Sequence, residues 1–428
     1  MMKSLISHYS NKEVSLRCAE GNLSFLLSQA LFSSYEIDKG SRFLLKTTQQ
    51  NIDFSSIQQV LDIGCGIGTL GVCLQKAYPH LRVTMQDRDA LALTFSRYNA
   101  QKNSAEGVHV VGGLAFQGLQ GQHFDLVISN IPAKVGEPVL RQLYRSMLLH
   151  ATLSAIVVVK PLADYTQQTL PELNARILYQ EQSTGHSVFY FTPAQPALTS
   201  EAQESEVQPS DGQPSSEGFP PEEVLPQQDL PEAYFRTGAK FEYTNLYYYL
   251  DTVWGLADFD SIPFQSQSAY RCVKSTSPFT RICVWNPGQG HTAALLAAAQ
   301  PDHSLTVDLL GRDMLALQAS RHNLQAQQHV SLGHLLHSPS PLIAAEKLKN
   351  DPTPLSPDLF IVELEHLAGV PSAQEVLHTA QVLLEPGGTL LITGKSAHIQ
   401  QFGHQLEGFH SVNAKKHKGY KSITLKRD

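Results

Sequence analysis

The chain has 428 residues, 42% hydrophobic and 17% charged, a composition that fits a folded globular protein and a length that suits two domains of about 190 residues each. A net charge of −7 is not that of a protein that binds nucleic acid by bulk charge, and Cys18, Cys65, Cys73, Cys272 and Cys283, with no CxxC pair, argue against a disulfide framework or a zinc cluster. No apolar run near the first residue has signal-peptide length and none elsewhere approaches a membrane span, so a cytoplasmic protein with no membrane partner and no bound metal is expected.

The segment Val60-Leu-Asp62-Ile-Gly64-Cys-Gly66-Ile-Gly68-Thr-Leu-Gly71 reads as a buried strand, a glycine turn and the start of a helix, because the apolar run ends where side chains vanish. Only residues without a Cβ let backbone approach a ligand that closely. A second apolar run, from Leu81 to Met85, ends at Asp87, whose carboxylate can accept hydrogen bonds from the hydroxyls of a ribose. A third, Phe124-Asp-Leu-Val-Ile-Ser, ends at Asn130-Ile131-Pro132. Together these describe a site for a cofactor that contains a nucleoside.

Gly66 to Gly71 is also GxGxxG, so a dinucleotide oxidoreductase is the competing reading. Asp62 and Gly64, upstream of those glycines, and Asn130-Ile131-Pro132 favour S-adenosylmethionine, since hydride transfer has no use for Asn-x-Pro and methyl transfer to a planar amino nitrogen does. In that reading Gly64, Gly66 and Gly68 admit the methionyl end at a helix N-terminus and Asp62 holds its amino group. Asn130 Oδ1 and the Ile131 carbonyl accept the two hydrogens of the amino group to be methylated, and Pro132 fixes the direction of that carbonyl. Asn130 can alternatively cap a helix. Cys65 reads as a small turn residue.

The run from Phe32-Ser through Asp38-Lys-Gly40-Ser, then VLDIGCGIGTLGV, Asp87 and Ser129-Asn130-Ile131-Pro132, resembles the catalytic domain of the bacterial ribosomal RNA guanine-N2 methyltransferases, small-subunit type C and large-subunit type G, over about residues 30 to 192. The resemblance implies a class I methyltransferase fold, an RNA substrate, and closure of Asp38 and Gly40 over the methyl donor. That family has Asn-Pro-Pro-Phe where this chain has Asn130-Ile131-Pro132-Ala133, so the aromatic that stacks on a target base is absent at its usual place. Phe116, Tyr165 and Tyr35 are the candidate replacements. Gly112-Gly113 stands where related enzymes present a polar side chain to adenine.

Residues 196–232 hold nine carboxylates and no Lys or Arg, and are rich in Pro, Ser and Gln, which reads as a disordered acidic linker. Without those nine the net charge of the chain rises from −7 to +2. On either side lies the same βαβ pattern: Ile282 to Ala293 echoes Val60 to Gly71, and Arg312-Asp313 through Ser320-Arg321-His-Asn323 echoes Arg88-Asp89 through Ser96-Arg97-Tyr-Asn99. The expected fold is thus α/β, two tandem Rossmann-like methyltransferase domains: a catalytic one over 1–195, the linker, and a non-catalytic one over 233–428. In the second copy Val284 replaces Asp62, Asn286 replaces Gly64, Gly311 replaces Asp87, and Glu363-Leu-Glu365 stands in place of Asn130-Ile131-Pro132.

Every donor-contacting position lies before the linker in this reading, so the first half should bind the donor alone. The second half would offer a surface to RNA, with Lys415, Lys416, Lys418 and Lys421 as phosphate contacts. Its competitor is a solvated edge hairpin. Three functions remain open: methylation of an exocyclic base amino group of RNA, guanine N2 of ribosomal RNA foremost; methylation of a protein glutamine; and a methyltransferase-like binding protein that no longer catalyses.

Overall fold

The computed structural model describes residues 2–18, 21–32, 35–194, 229–257, 261–276, 278–352, 355–364, 370–403 and 406–428. Residues 196–228 of the expected linker, and Glu365, lie outside the described residues.

The first half runs α1 (Met2–Tyr9), β1 (Ser10–Cys18), β2 (Gly21–Ser28), α2 (Lys39–Asn51), β3 (Gln59–Ile63), α3 (Thr69–Ala77), β4 (Arg82–Asp87), α4 (Ala90–Lys102), β5 (Val108–Gly112), β6 (Phe124–Asn130), α5 (Glu137–His150), β7 (Ala151–Val159), α6 (Ala163–Glu172), β8 (Ala175–Gln182) and β9 (His186–Pro193). The second half repeats the plan with β10 (Phe235–Tyr243), β11 (Leu246–Val253), α7 (Phe264–Val273), β12 (Arg281–Trp285), α8 (His291–Ala298), β13 (Leu305–Gly311), α9 (Met314–Gln325), β14 (Val330–His337), α10 (Pro341–Lys349), β15 (Leu359–Glu363), α11 (Ala373–Leu383), β16 (Thr389–Lys395), α12 (Ser396–Ile399), β17 (Phe409–His417) and β18 (Tyr420–Arg427).

Each half builds a seven-stranded sheet, ordered β5-β4-β3-β6-β7-β9-β8 and β14-β13-β12-β15-β16-β18-β17, beside a two-stranded ribbon, β1-β2 or β10-β11. All sheet pairings are parallel except those of β9 and β18, which run antiparallel to both neighbours. The central strands β3 and β12 are buried on both faces, as an apolar run in a parallel sheet requires. The strand order reverses between β3 and β4 on one side and β6 on the other, which opens a crevice at the carboxyl ends of these strands.

The residues that repeat in sequence repeat their contacts. Asn99 pins β2 to the first half through Leu26 N–H and C=O (2.9 and 3.2 Å) and reaches the Ile67 carbonyl at 2.9 Å. Asn323 does the same with Asp251 (2.8 and 3.0 Å) and the Gln289 carbonyl at 2.9 Å. Ser96 Oγ donates to Gly66 O and Ser320 Oγ to Gly288 O, at 2.8 and 2.9 Å. These side chains tie each glycine turn to the helix after the second strand, which is why the duplicated pattern includes them.

One expectation changes here. The chain from Asp229 onward packs instead of continuing the linker: Leu230 is buried, and the Asp229 carbonyl accepts from Gln117 Nε2 at 3.3 Å. Each half has its own cores, and between them Leu114 and Val139 of the first half share one apolar cluster with Leu230, Tyr234, Val253, Leu315 and Ala319. An apolar group that both halves bury holds them as one body.

Candidate active site

The turn after β3 is built from backbone hydrogen bonds. Gly64 N and Cys65 N both donate to Gln86 O, at 2.8 and 3.0 Å, and Gly68 N closes on Cys65 O at 2.8 Å. Gly64, Gly66 and Gly68 have φ of 70°, 58° and 85°, the left-handed region that glycine enters without penalty. Gly71 has a different reason to be glycine: a Cβ there would stand 2.6 Å from Met85, so α3 could not lie this close to β4.

The turn opens into a cavity of about 510 Å³ at the crevice between β3, β4 and β6. Asp38, Gly64, Gly66, Asp87, Asn130, Ile131 and Pro132 line it. Gly40, Asp62 and Gly68 do not, and each has a structural position behind it. Asp62 is fully buried, and its Oδ2 accepts from Gly71 N at 3.0 Å, holding the first turn of α3. Among the described residues its Oδ1 has no hydrogen-bond partner, and burial pushes its pKa up to about 7. Gly40 makes room: a Cβ there would fall 2.8 Å from Asp38 Oδ2 and 3.2 Å from Asn130 Oδ1.

Asp87 ends β4 inside the cavity. Its Oδ2 accepts from Gly66 N and its Oδ1 from Asp89 N, both at 2.9 Å, which fixes the carboxylate while leaving lone pairs on both oxygens. Burial raises its pKa to about 6. Cys65 is buried, and the same effect pushes its thiol well above the ordinary range, so it is a poor nucleophile.

Asn130 is held from across the cavity mouth. Its Nδ2 donates to Asp38 Oδ2 at 2.7 Å and to Ser41 Oγ at 3.0 Å. The Asp38 carboxylate can only accept, so it dictates which end of the amide faces it and leaves Oδ1 as an acceptor. Asp38 also caps α2 through Ser41 N at 3.1 Å. Asn130 caps no helix: the next one, α5, has Gly136 at its N-cap. The Ile131 side chain is buried, and its N–H bonds Val157 O at 2.9 Å, which sets the backbone course from β6 into Pro132.

Phe32, His186, Tyr234 and Gly255 also line the cavity. Phe32 is 76% exposed there, whereas Phe116 is buried against His150 and lies outside the lining. Tyr35 and Tyr165 also stand outside it, Tyr165 donating to Glu137 O at 3.0 Å. Tyr234 and Gly255 belong to the second half, so not every wall lies before the linker, contrary to the sequence reading. Phe32 and Ser41 are visible in the Phe-Ser…Asp-x-Gly-Ser run; His186, Tyr234 and Gly255 come from distant segments with no local signal.

In the second half the equivalent crevice is filled from within. Asn286 takes the left-handed conformation of Gly64, with φ 56°, and its Oδ1 accepts from Arg312 N at 3.1 Å. That oxygen stands 3.2 Å from where a Cβ on Gly311 would be, at the position of Asp87. Val284, at the Asp62 position, is buried. Lys415, Lys416 and Lys418 are exposed on the β17–β18 hairpin.

Strand order and glycine turn define the fold of the class I methyltransferases, present twice in this chain, while the strand-end acid stands only in the first half, at Asp87. Residues 22–154 match the family model of the methyltransferase small domain. The chain is 35% identical over 111 residues to the ribosomal RNA small subunit methyltransferase C of Actinobacillus pleuropneumoniae serotype 3 (strain JL03), covering 26% of this chain and 32% of that protein. It is 36% identical over 121 residues to the protein of the same name from Pseudomonas putida (strain W619), covering 28% and 35%. The chain thus spans about a third of the length of these relatives. Over the whole fold it is similar to the T. thermophilus 16S rRNA N2 methyltransferase RsmC, solved with AdoMet and guanosine, at a TM-score of 0.60 and 14% identity, covering 99% of this chain and 100% of that one.

Proposed function

We propose that the first half is an S-adenosylmethionine-dependent N-methyltransferase for an exocyclic amino group of an RNA base, with guanine N2 of ribosomal RNA as the target, and that the second half does not catalyse. The observation that carries it is the Asn130 amide, oriented by Asp38 and Ser41 so that Oδ1 stands free as an acceptor in the same cavity as the glycine turn and Asp87. The names of the relatives point to ribosomal RNA.

The residues present fit the cofactor. Gly64 and Gly66 have open space where a Cβ would project, which leaves their backbone to meet a methionyl group. Asp87 offers lone pairs to two ribose hydroxyls. When bound, S-adenosylmethionine supplies a methyl group on a positively charged sulfur. Asn130 Oδ1 and the Ile131 carbonyl then accept the hydrogens of the target amino group and hold its nitrogen with the lone pair directed at that methyl. Such acceptors gain strength as positive charge grows on the nitrogen, so they act on the transition state more than on the bound substrate. Pro132 limits rotation of the chain after that carbonyl. Asp38 acts through Asn130 as a positioning residue. Lys415, Lys416, Lys418 and Lys421 serve as a docking edge for phosphates, and a cytoplasmic site of action follows from that substrate.

The test is donor-dependent labelling: purified protein with methyl-labelled S-adenosylmethionine is incubated with ribosomal RNA and with total protein from a strain lacking the gene. Label in the RNA, at the guanine N2 position on nucleoside analysis, is the expected result. Label in protein alone, or in neither, overturns the proposal.

A further inference from the structure

The second half reaches into the cavity of the first at one place. Tyr234, at the end of a short 3₁₀ turn (Glu232–Tyr234), lines the cavity while only 8% exposed, and Gly255 lines it beside the ring. Trp254 N donates to Tyr234 O at 2.8 Å, so the two segments are tied to each other. Both are tied to the first half. Arg88, the residue after Asp87, donates to Gly255 O at 3.1 Å. Gly255 has φ 87°, and a Cβ on it would stand 3.2 Å from Arg88 Nη1 and from Leu315, so this close approach needs glycine.

Beyond Asp87 the first half lines the cavity with Arg88, Gly113, Leu114 and Ala115, none of them aromatic. At Gly113 a Cβ would stand 2.1 Å from Gln86 Nε2, so no side chain projects from that position. Leu114 and Ala115 form one wall. Tyr234 packs with Leu114 and Val139 in the cluster that both halves share. With ribose on Asp87, the attached base would extend toward the 113–115 turn, where Tyr234 packs against Leu114.

We propose that Tyr234 is the aromatic wall for the adenine of the cofactor, so that a side chain of the second half sets the donor affinity of the first. This rests on the cofactor assignment made above. A flat base between an aromatic ring and aliphatic side chains buries apolar area on both faces, and its selectivity comes from shape. The second half then has a role that needs no chemistry of its own, and a first half expressed without it lacks part of its cofactor wall.

The test uses the full chain and its Tyr234→Phe, Tyr234→Leu and Tyr234→Ala variants, with S-adenosylhomocysteine and adenosine as probes in calorimetry. Tyr234→Leu and Tyr234→Ala should weaken both probes about tenfold and by the same factor, while Tyr234→Phe stays within about twofold of wild type. The KM for S-adenosylmethionine should rise in step, with kcat at saturation nearly unchanged, a split that general loosening of the fold does not produce. If Tyr234→Ala fails to fold, Tyr234→Leu, closer to the ring in volume, carries the comparison. Wild-type affinity in Tyr234→Leu overturns the inference, and so does a Tyr234→Phe as weak as Tyr234→Ala, which would assign the effect to the hydroxyl. A wild type that binds neither probe overturns the cofactor assignment itself, and this inference with it.

Discussion

Arg88 and Arg312 occupy equivalent positions in the two halves and reach across to equivalent partners. Arg88 Nη2 donates to Gly255 O and Arg312 Nη2 to Ala30 O, each at 3.1 Å. Arg88 pairs with Asp313 at 3.3 Å and Arg312 with Asp89 at 2.6 Å. Between them the backbones exchange hydrogen bonds, Ala90 N to Arg312 O and Met314 N to Arg88 O, both at 3.0 Å. The Arg-Asp repeat noticed in the sequence is therefore the seam that joins the copies about a local two-fold axis. His337 breaks the symmetry. His337 of β14 stands where the first half has Gly112, and its Nε2 meets the carbonyls of both Arg88 and Arg312, at 2.9 and 2.6 Å.

The two arginines differ in exposure, and their removal should differ accordingly. The Arg312 side chain is 6% exposed and its partner Asp89 25%, against 36% and 31% for Arg88 and Asp313. Arg312→Met leaves a mostly buried carboxylate and the Ala30 carbonyl without their donor and should cost about 3 kcal/mol. Arg88→Met, whose pair is open to water, should cost about 1 kcal/mol. Urea unfolding of the full chain measures both. Asp89→Asn, which keeps an oxygen for the α4 cap, should couple with Arg312→Met in a double-mutant cycle. Equal small losses from the two arginine variants would show that the seam is not held by these pairs.

Asp87→Ala removes the proposed ribose acceptor and frees Gly66 N, so affinity for S-adenosylhomocysteine should fall about tenfold or more. The pKa of about 6 adds a pH signature: donor affinity of the wild type should decline as the pH falls through 6 and the carboxylate is protonated. In Asp87→Ala that decline should be absent. Calorimetry at several pH values is the measurement, and an unchanged affinity in the variant would remove Asp87 from the site.

Asp62 makes a prediction about stability of the free chain. Its pKa is raised from 3.8 to about 7, so between those values the folded state binds more protons than the unfolded one. Stability must then fall as the pH rises from about 4 to about 7, by an amount on the order of 4 kcal/mol at most. Asp87 adds to the same trend. Asp62→Asn keeps an acceptor for Gly71 N but does not titrate, so its stability relative to wild type should improve steadily from pH 5 to pH 8. Urea unfolding across that range checks it; parallel curves would mean that Asp62 carries no such shift.

How much of this was legible follows from distance along the chain. The glycine turn, its helix and Asp87 are adjacent in sequence, and spacing alone announces them. Asp62 was equally visible, but spacing cannot tell a residue that faces a ligand from one that faces the helix behind it. Gly40 clears the approach of Asp38 to Asn130, a steric role that spacing does not announce. Tyr234, Gly255 and His186 carry no pattern because they reach the cavity from separate elements. The expected linker runs on to residue 232, past Leu230, where an acidic, proline-rich composition gives way to one apolar residue with a partner 116 positions away, Leu114.

Asn130 carries the proposed chemistry, and its variants should separate chemistry from binding. Asn130→Ala removes Oδ1 from a wall that does not hold the ribose, so the affinity for S-adenosylhomocysteine should stay within about twofold. Single-turnover methylation should slow roughly a hundredfold, because the lost acceptor acts as charge develops on the nitrogen. Asp38→Asn is the sharper variant. An amide at that position can present either end to Asn130, so the Asn130 side chain loses the constraint that aims Oδ1 into the cavity. Asp38 Oδ2 accepts from both Ser41 N and Asn130 Nδ2, so an asparagine turned amine-first toward Asn130 also gives up the α2 cap. Asp38→Asn should therefore slow single turnover about tenfold and lower the melting temperature together with it. Full turnover in Asn130→Ala would deny this residue a part in the reaction, and full turnover in Asp38→Asn alone would mean that Ser41 orients the amide without help.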